Sequence, residues 1–243
     1  MRRLLLVGLL LCASRLADGA TIVVTTTRQG VQAAGVDGTC SLQEAIYSAN
    51  YDDNVAPYPP SPTQFIVTGC NKGNGNDTII LQSGATYQMT APAVDPANPL
   101  GPTGAPLIFS NIVIEANGAT IVGLGSGSNL RAFAVGNATV DLSEIDPGRV
   151  VFGTGELTLN SAYLKNFSVK GGSGTDGGGG GMGAGGAIYL KGGELTIVNS
   201  TFEANSAIGG NAIGGAGGAG GGGGGLSGNG GHQAGGSQGT LAN

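Results

Sequence analysis

An internal repeat limits what this chain can fold into. Gly155-Glu156-Leu157-Thr158-Leu159-Asn160-Ser161-Ala162-Tyr163-Leu164-Lys165-Asn166 returns as Gly193-Glu194-Leu195-Thr196-Ile197-Val198-Asn199-Ser200-Thr201-Phe202-Glu203-Ala204-Asn205. Both copies carry Leu-Thr-(Leu/Ile), then Asn-Ser, then aromatic-x-x-Asn. Matching all three elements requires one inserted residue in the second copy and a spacing of about 39. A unit of this size cannot bury its own apolar face. Stacked on a similar unit it can, because inward residues of successive coils pile into one continuous core. Asparagine tolerates left-handed backbone at the corners, and glycine permits tight turns and exits from the stack.

The rest of the chain reads as short strands. Thr21–Thr27, Thr78–Leu81, Ile112–Ile114, Ala119–Val122, Ala132–Val135, Val150–Phe152 and Leu157–Leu159 are rich in β-branched and apolar residues. Residues 51–64 contain Pro57, Pro59, Pro60 and Pro62 and read as a loop. Residues 91–106 read as a second Pro-rich excursion. One helix is expected, Ser41–Asn50. Ser41 and Glu44 fit a capping box, and Leu42, Ala45, Ile46 and Ala49 form one apolar stripe. That stripe suits it to cover the open end of a strand stack.

Residues 1–19 read as an export signal. Arg2 and Arg3 precede an apolar run, Leu4–Cys12, far shorter than the roughly 20 residues of a membrane span. Ala17-Asp18-Gly19 offers the cleavage site. Removing 1–19 takes away Arg2, Arg3, Arg15 and Asp18 and moves the net charge from −5 to −7. No basic surface remains to track a phosphate backbone, which argues against nucleic acid as a partner. Nor is a membrane-spanning segment left. Cys40 and Cys70 then remain. In an exported chain they most simply form one disulfide; two unrelated free thiols are the alternative.

Two resemblances follow from these residues. Thr39-Cys40-Ser41-Leu42-Gln43-Glu44-Ala45-Ile46, with Ala49-Asn50, resembles the CSLREA-type motif of bacterial secreted β-helix proteins. That family usually has Arg where Gln43 stands. It also commonly has a second Cys before a Gly/Asn/Asp turn and a Thr-Ile-x-Leu strand, and Cys70, Asp77 and Thr78–Leu81 match. Gly185-Gly186-Ala187-Ile188 and Phe202-Glu203-Ala204-Asn205 resemble the GGAI and FxxN repeats of polymorphic outer-membrane proteins. The resemblance implies a right-handed parallel β-helix, pectate-lyase-like, all-β apart from the short capping helix. It implies a secreted, cell-surface or outer-membrane location and an adhesin-like or interaction-scaffold role. The partner would be a host-cell or matrix surface or a polysaccharide. Family members have many more coils, so the chain is expected to be a fragment of a longer protein. Gln43→Arg is expected to be nearly neutral.

Candidate chemistry is sparse. Asp141, Glu144, Asp146 and Arg149 form the densest charged cluster. Paired carboxylates can hydrolyse glycosides, and Ca²⁺ with an Arg base can cleave uronates. The alternative function is therefore a polysaccharide-active lyase or glycoside hydrolase of the same fold. However, these groups sit in one loop, whereas β-helix enzymes gather theirs from successive coils. Gly171–Asp176 and Gly73–Asp77 partly match calcium-binding nonapeptides but lack tandem copies, and they read as glycine loops. His232 stands alone in the glycine tract. Asn76, Asn137, Asn166 and Asn199 begin Asn-x-Ser/Thr sequences and read as turn asparagines. No catalytic residue, cofactor or metal site is assigned. Glycine is concentrated after Lys170, and the expected organisation is an export signal at 1–19, a cap region at 20–77, strand coils at 78–213 and a Gly-rich segment at 214–243.

Overall fold

A computed structural model describes residues 19–174 and 179–212. All but the last residue of the expected export signal, Thr175 and Asp176, His232 and the Gly-rich segment 214–243 lie outside the described residues.

In chain order the elements begin with β1 (Thr21–Val23), α1 (Ala34–Asp37), α2 (Leu42–Tyr51), β2 (Val55–Tyr58) and β3 (Ser61–Val67). There follow β4 (Asp77–Ile80), β5 (Thr86–Gln88), β6 (Asn111–Glu115), β7 (Thr120–Val122), β8 (Phe133–Val135) and β9 (Asn137–Asp141). The last group is β10 (Val150–Thr154), β11 (Glu156–Asn160), β12 (Tyr163–Lys165), β13 (Ser168–Lys170), β14 (Ile188–Leu190), β15 (Glu194–Val198), β16 (Thr201–Glu203) and β17 (Ser206–Ile208). The described residues are therefore all-β apart from two helices, and their main sheets are parallel.

One sheet runs β1-β4-β6-β11-β15 and a second β5-β7-β12-β16, each adding strands in the order the chain supplies them. Smaller parallel pairs are β8 with β14 and β13 with β17. Alternation within β6 and β11 buries every second residue, as a period of two requires. The register turns these positions into ladders. Ile22, Ile79, Ile114, Leu159 and Ile197 lie in line across the first sheet. Tyr87, Ile121, Leu164 and Phe202 do so across the second. Both ladders feed the largest apolar cluster.

The register corrects the repeat alignment. β11, β12 and β13 pair with β15, β16 and β17 at a constant offset of 38, with no inserted residue: Glu156 faces Glu194, Tyr163 faces Thr201 and Ser168 faces Ser206. Asn160 thus stands opposite Val198, and Phe202 opposite Leu164 rather than Tyr163. Similar letters therefore fall at different backbone positions in the two copies. The corners confirm the offset, because Ser161 and Asn199 both have positive φ, as do Asn166 and Ala204. Asn205 lies over Phe167. It accepts from the Phe167 amide at 2.9 Å and donates to the Leu164 carbonyl at 3.0 Å, stapling one layer to the next. In the GGAI segment, Gly185 has φ 76°, while a Cβ on Gly186 would fall 2.1 Å from the Ser206 carbonyl oxygen. Ala187 is buried, and Ile188 pairs with Phe133.

The expected helix forms as α2. Ser41 Oγ accepts from the Glu44 amide at 3.2 Å, and Glu44 Oε2 accepts from the Ser41 amide at 2.7 Å. Leu42, Ala45, Ile46 and Ala49 join the main core, and the helix packs on β1, β4 and β6. Its opposite face is also buried. Tyr47 and Tyr51 sit in a second cluster with Phe109 and Leu142. Gln43 is closed to solvent, donating to the Gly104 carbonyl at 2.8 Å and accepting from the Gly30 amide at 3.2 Å. The expectation of a neutral Gln43→Arg change assumed an exposed side chain and does not hold. Cys40 and Cys70 are disulfide-bonded across 30 residues, joining the start of α2 to the loop before β4. In the chain-entropy model such a loop is worth about 3–4 kcal/mol.

Residues 51–64 are not a simple loop. β2 and β3 form an antiparallel hairpin, with Val55 opposite Val67 and Ala56 opposite Ile66. Proline density hid it, although proline is tolerated on edge strands and in turns. β9 and β10 form a second antiparallel hairpin, Asp141 opposite Val150. Residues 91–106 do leave the sheets, but they are firmly held. Asp95 accepts from the Leu107 and Ala97 amides at 2.7 and 3.0 Å, and Tyr47 donates to the Val94 carbonyl.

Candidate functional site

The two hairpins flank a groove of about 300 Å³. Tyr51, Phe65, Pro57, Pro62, Pro96 and Asp141 are among the residues lining it. Tyr51 reaches it from the last turn of α2, Phe65 from β3 and Asp141 from the end of β9. Tyr51 contacts Phe65 edge-on at 6.0 Å between ring centres and Phe109 at the same separation. Tyr47 stacks on Tyr51 at 5.6 Å. Burial drives the Tyr51 hydroxyl far above its usual value, with the Asp95 charge adding to the effect, so the ring presents a neutral face.

The charged cluster is taken apart by the fold. Arg149 turns inward: Nη1 donates to Asp53 Oδ2 at 3.0 Å, and Nη2 donates to the Tyr51 carbonyl. Lys72 meets the other Asp53 oxygen at 2.7 Å. Burial opposes the charge on Asp53, but hydrogen bonds from Lys72, the Asn54 amide and Arg149 outweigh it and hold the carboxyl below the ordinary range. Arg149 thereby fastens the second hairpin to the end of α2. Asp141 accepts from the Ser143 amide at 2.8 Å, and hydrogen bonds from Ser143 lower its pKa. Glu144 and Asp146 are exposed between β9 and β10. An Arg base beside two carboxylates is therefore not what these residues form; Arg149 is engaged as a clamp.

The glycine turn before β4 is structural too. Asp77 is buried and accepts from the Ala20 amide at 2.7 Å and the Asn74 amide at 2.9 Å. Desolvation raises its pKa, partly offset by those two amides. Among the described residues, no three His, Cys, Asp or Glu side chains come together as a metal site. Nor is any helix there long and apolar enough to cross a membrane.

Sequence reasoning missed Tyr51, Phe65 and Asp53. Tyr47 and Tyr51 are four residues apart, so a second apolar face on α2 was a readable signal. No protein-family model, curated protein or solved structure matches the chain.

Proposed function

We infer that this is an exported right-handed parallel β-helix, pectate-lyase-like in architecture, which acts as an adhesin-like interaction scaffold. Strand order supports the architecture: two parallel sheets each gain strands in chain order. The Cys40–Cys70 disulfide and the signal-like residues 1–19 support export to the cell surface, outer membrane or medium.

The observation that carries the binding role is the aromatic and proline-lined groove between the hairpins. Apolar faces of sugar rings stack on rings such as Phe65, while Asp141 and Thr63 can meet hydroxyls. The ligand is read as an extended polysaccharide of a host-cell or matrix surface. The test is affinity electrophoresis through gels containing pectin, chitosan, hyaluronan or cellulose derivatives. At least one should retard the chain, and Phe65→Ala should abolish the retardation without lowering thermal stability by more than a few degrees. No retardation in any gel, or equal retardation of the variant, would end the groove reading. Polyuronate turnover with Ca²⁺, lost on Asp146→Ala, would replace it with a lyase.

A further inference from the structure

The hairpin of β9 and β10 has two unlike faces. Ala138, Val140 and Val151 pack inward against the cluster around Tyr51 and Phe109. Gly153 lets β10 lie directly on the core, because a Cβ there would fall 2.1 Å from the Phe109 carbonyl oxygen. The alternate positions face out: Asn137, Thr139 and Asp141 on β9, Val150, Phe152 and Thr154 on β10. Phe152 stands opposite Thr139 and is 82% exposed, a ring held in water among amide and hydroxyl groups.

This outer face joins the groove to two further hollows. The groove reaches Thr139 and Asp141. A shallow hollow of about 500 Å³ continues from Thr139 to Asn137 beside Phe152. A third, of about 190 Å³, runs from Asn137 to Leu100 and Lys191. Successive outward side chains of a strand are about 7 Å apart, close to the length of one sugar ring. A chain of rings laid along β9 would lie against Phe65 in the groove and Phe152 on the hairpin, with a hydrogen-bonding side chain at each step. Charge narrows its chemistry. The track has a carboxylate towards one end, Asp141, with Glu144 and Asp146 exposed in the turn beyond, and an exposed ammonium at the other, Lys191. A polyanion would set its charges against the acidic end and a polycation against Lys191. An uncharged chain meets both as hydrogen-bonding partners. Resting on the reading of the groove as a polysaccharide site, we propose that the site runs the length of β9 and takes an uncharged polysaccharide, with Phe152 as its second stacking ring.

Affinity electrophoresis tests this with hydroxyethyl cellulose, xyloglucan and galactomannan as uncharged polymers and carboxymethyl cellulose, pectin and chitosan as charged ones. At least one uncharged polymer should retard the chain, and no charged one should retard it as strongly. Phe152→Ala should weaken that binding about tenfold and leave the thermal midpoint unchanged. Asp141→Lys should bring retardation by an acidic polymer, and its failure to do so would overturn the charge argument. Stronger retardation by a charged polymer, lost on Phe65→Ala, would keep the groove and overturn the uncharged class. Retardation lost on Phe65→Ala but unchanged in Phe152→Ala would keep the groove and overturn its extension along β9. No retardation in any gel would remove the polysaccharide reading itself, and this proposal with it.

Discussion

Arg131 carries its guanidinium into the interior of the fold. Fully buried, it donates to the Ala184 carbonyl at 2.8 Å and the Leu100 carbonyl at 3.2 Å and lies over the Tyr189 ring at 5.4 Å. Desolvation lowers its pKa. It fixes the 91–106 excursion and the glycine-rich segment before β14 to β8. Arg131→Met keeps most of the volume but removes the donor to the buried Leu100 carbonyl and to the half-buried Ala184 carbonyl. A loss of about 2–4 kcal/mol is expected, read by urea unfolding. Asp95 works the other way. Burial pushes its carboxyl up to about 6 against two amide hydrogen bonds, from an ordinary value of 3.8. A raised acid pKa favours the fold most below the ordinary value, and this contribution is lost as pH rises through about 6. The thermal midpoint attributable to Asp95 should therefore fall between about pH 4 and 6. Asp95→Asn should flatten that slope; a slope of opposite sign at this residue would refute the assignment. Neither role was visible in sequence, because both depend on partners from distant segments.

At the scale of elements, α2 was the most legible. Ser41-Leu42-Gln43-Glu44 announces its own start, and the Leu42/Ala45/Ile46/Ala49 stripe names the buried face. Ile46→Asp should place a charge at a fully buried site against the main core and cost more than about 4 kcal/mol. An effect within about 0.5 kcal/mol, typical of surface changes, would mean that the helix does not cover the sheets. The polar face of α2 is buried as well, since Gln43 points at the Gly104 carbonyl in the excursion and Asn50 at the segment that follows it, donating to the Leu107 carbonyl at 2.7 Å. Gln43→Leu should therefore cost about 2 kcal/mol in urea unfolding, by removing the partner of the Gly30 amide and leaving the Gly104 carbonyl with the longer 3.4 Å bond from Gln29 Nε2. The hairpins were harder. β2 and β3 are dense in proline, and β10 is expected from Val150–Phe152 while its partner β9 is not. Their pairing rests on tertiary packing around Tyr51 and Phe109 rather than on local turn chemistry.

Over the whole molecule, the internal repeat among short β-branched strands was enough to anticipate all-β structure and stacked strands. It did not reveal the groove, because that site is built by hairpins which interrupt the repeat. The layers also differ in support. Among the described residues, β6 and β11 are paired on both sides, and β15 on one. Hydrogen exchange should be slowest in β6 and β11 and faster in β15 and β16. Equal protection would mean that the edge is covered within one chain. The unbroken offset of 38 has a further reach. It brings Glu194 to the place of Glu156 with every facing preserved, so splicing Gly155 directly to Glu194 would lay Leu195 on Ile112 and Ile197 on Ile114. Length in such a protein becomes a matter of copy number. Gene duplication or loss of one layer would lengthen or shorten it without inverting a single side chain, leaving the α2 end and its disulfide as the fixed part.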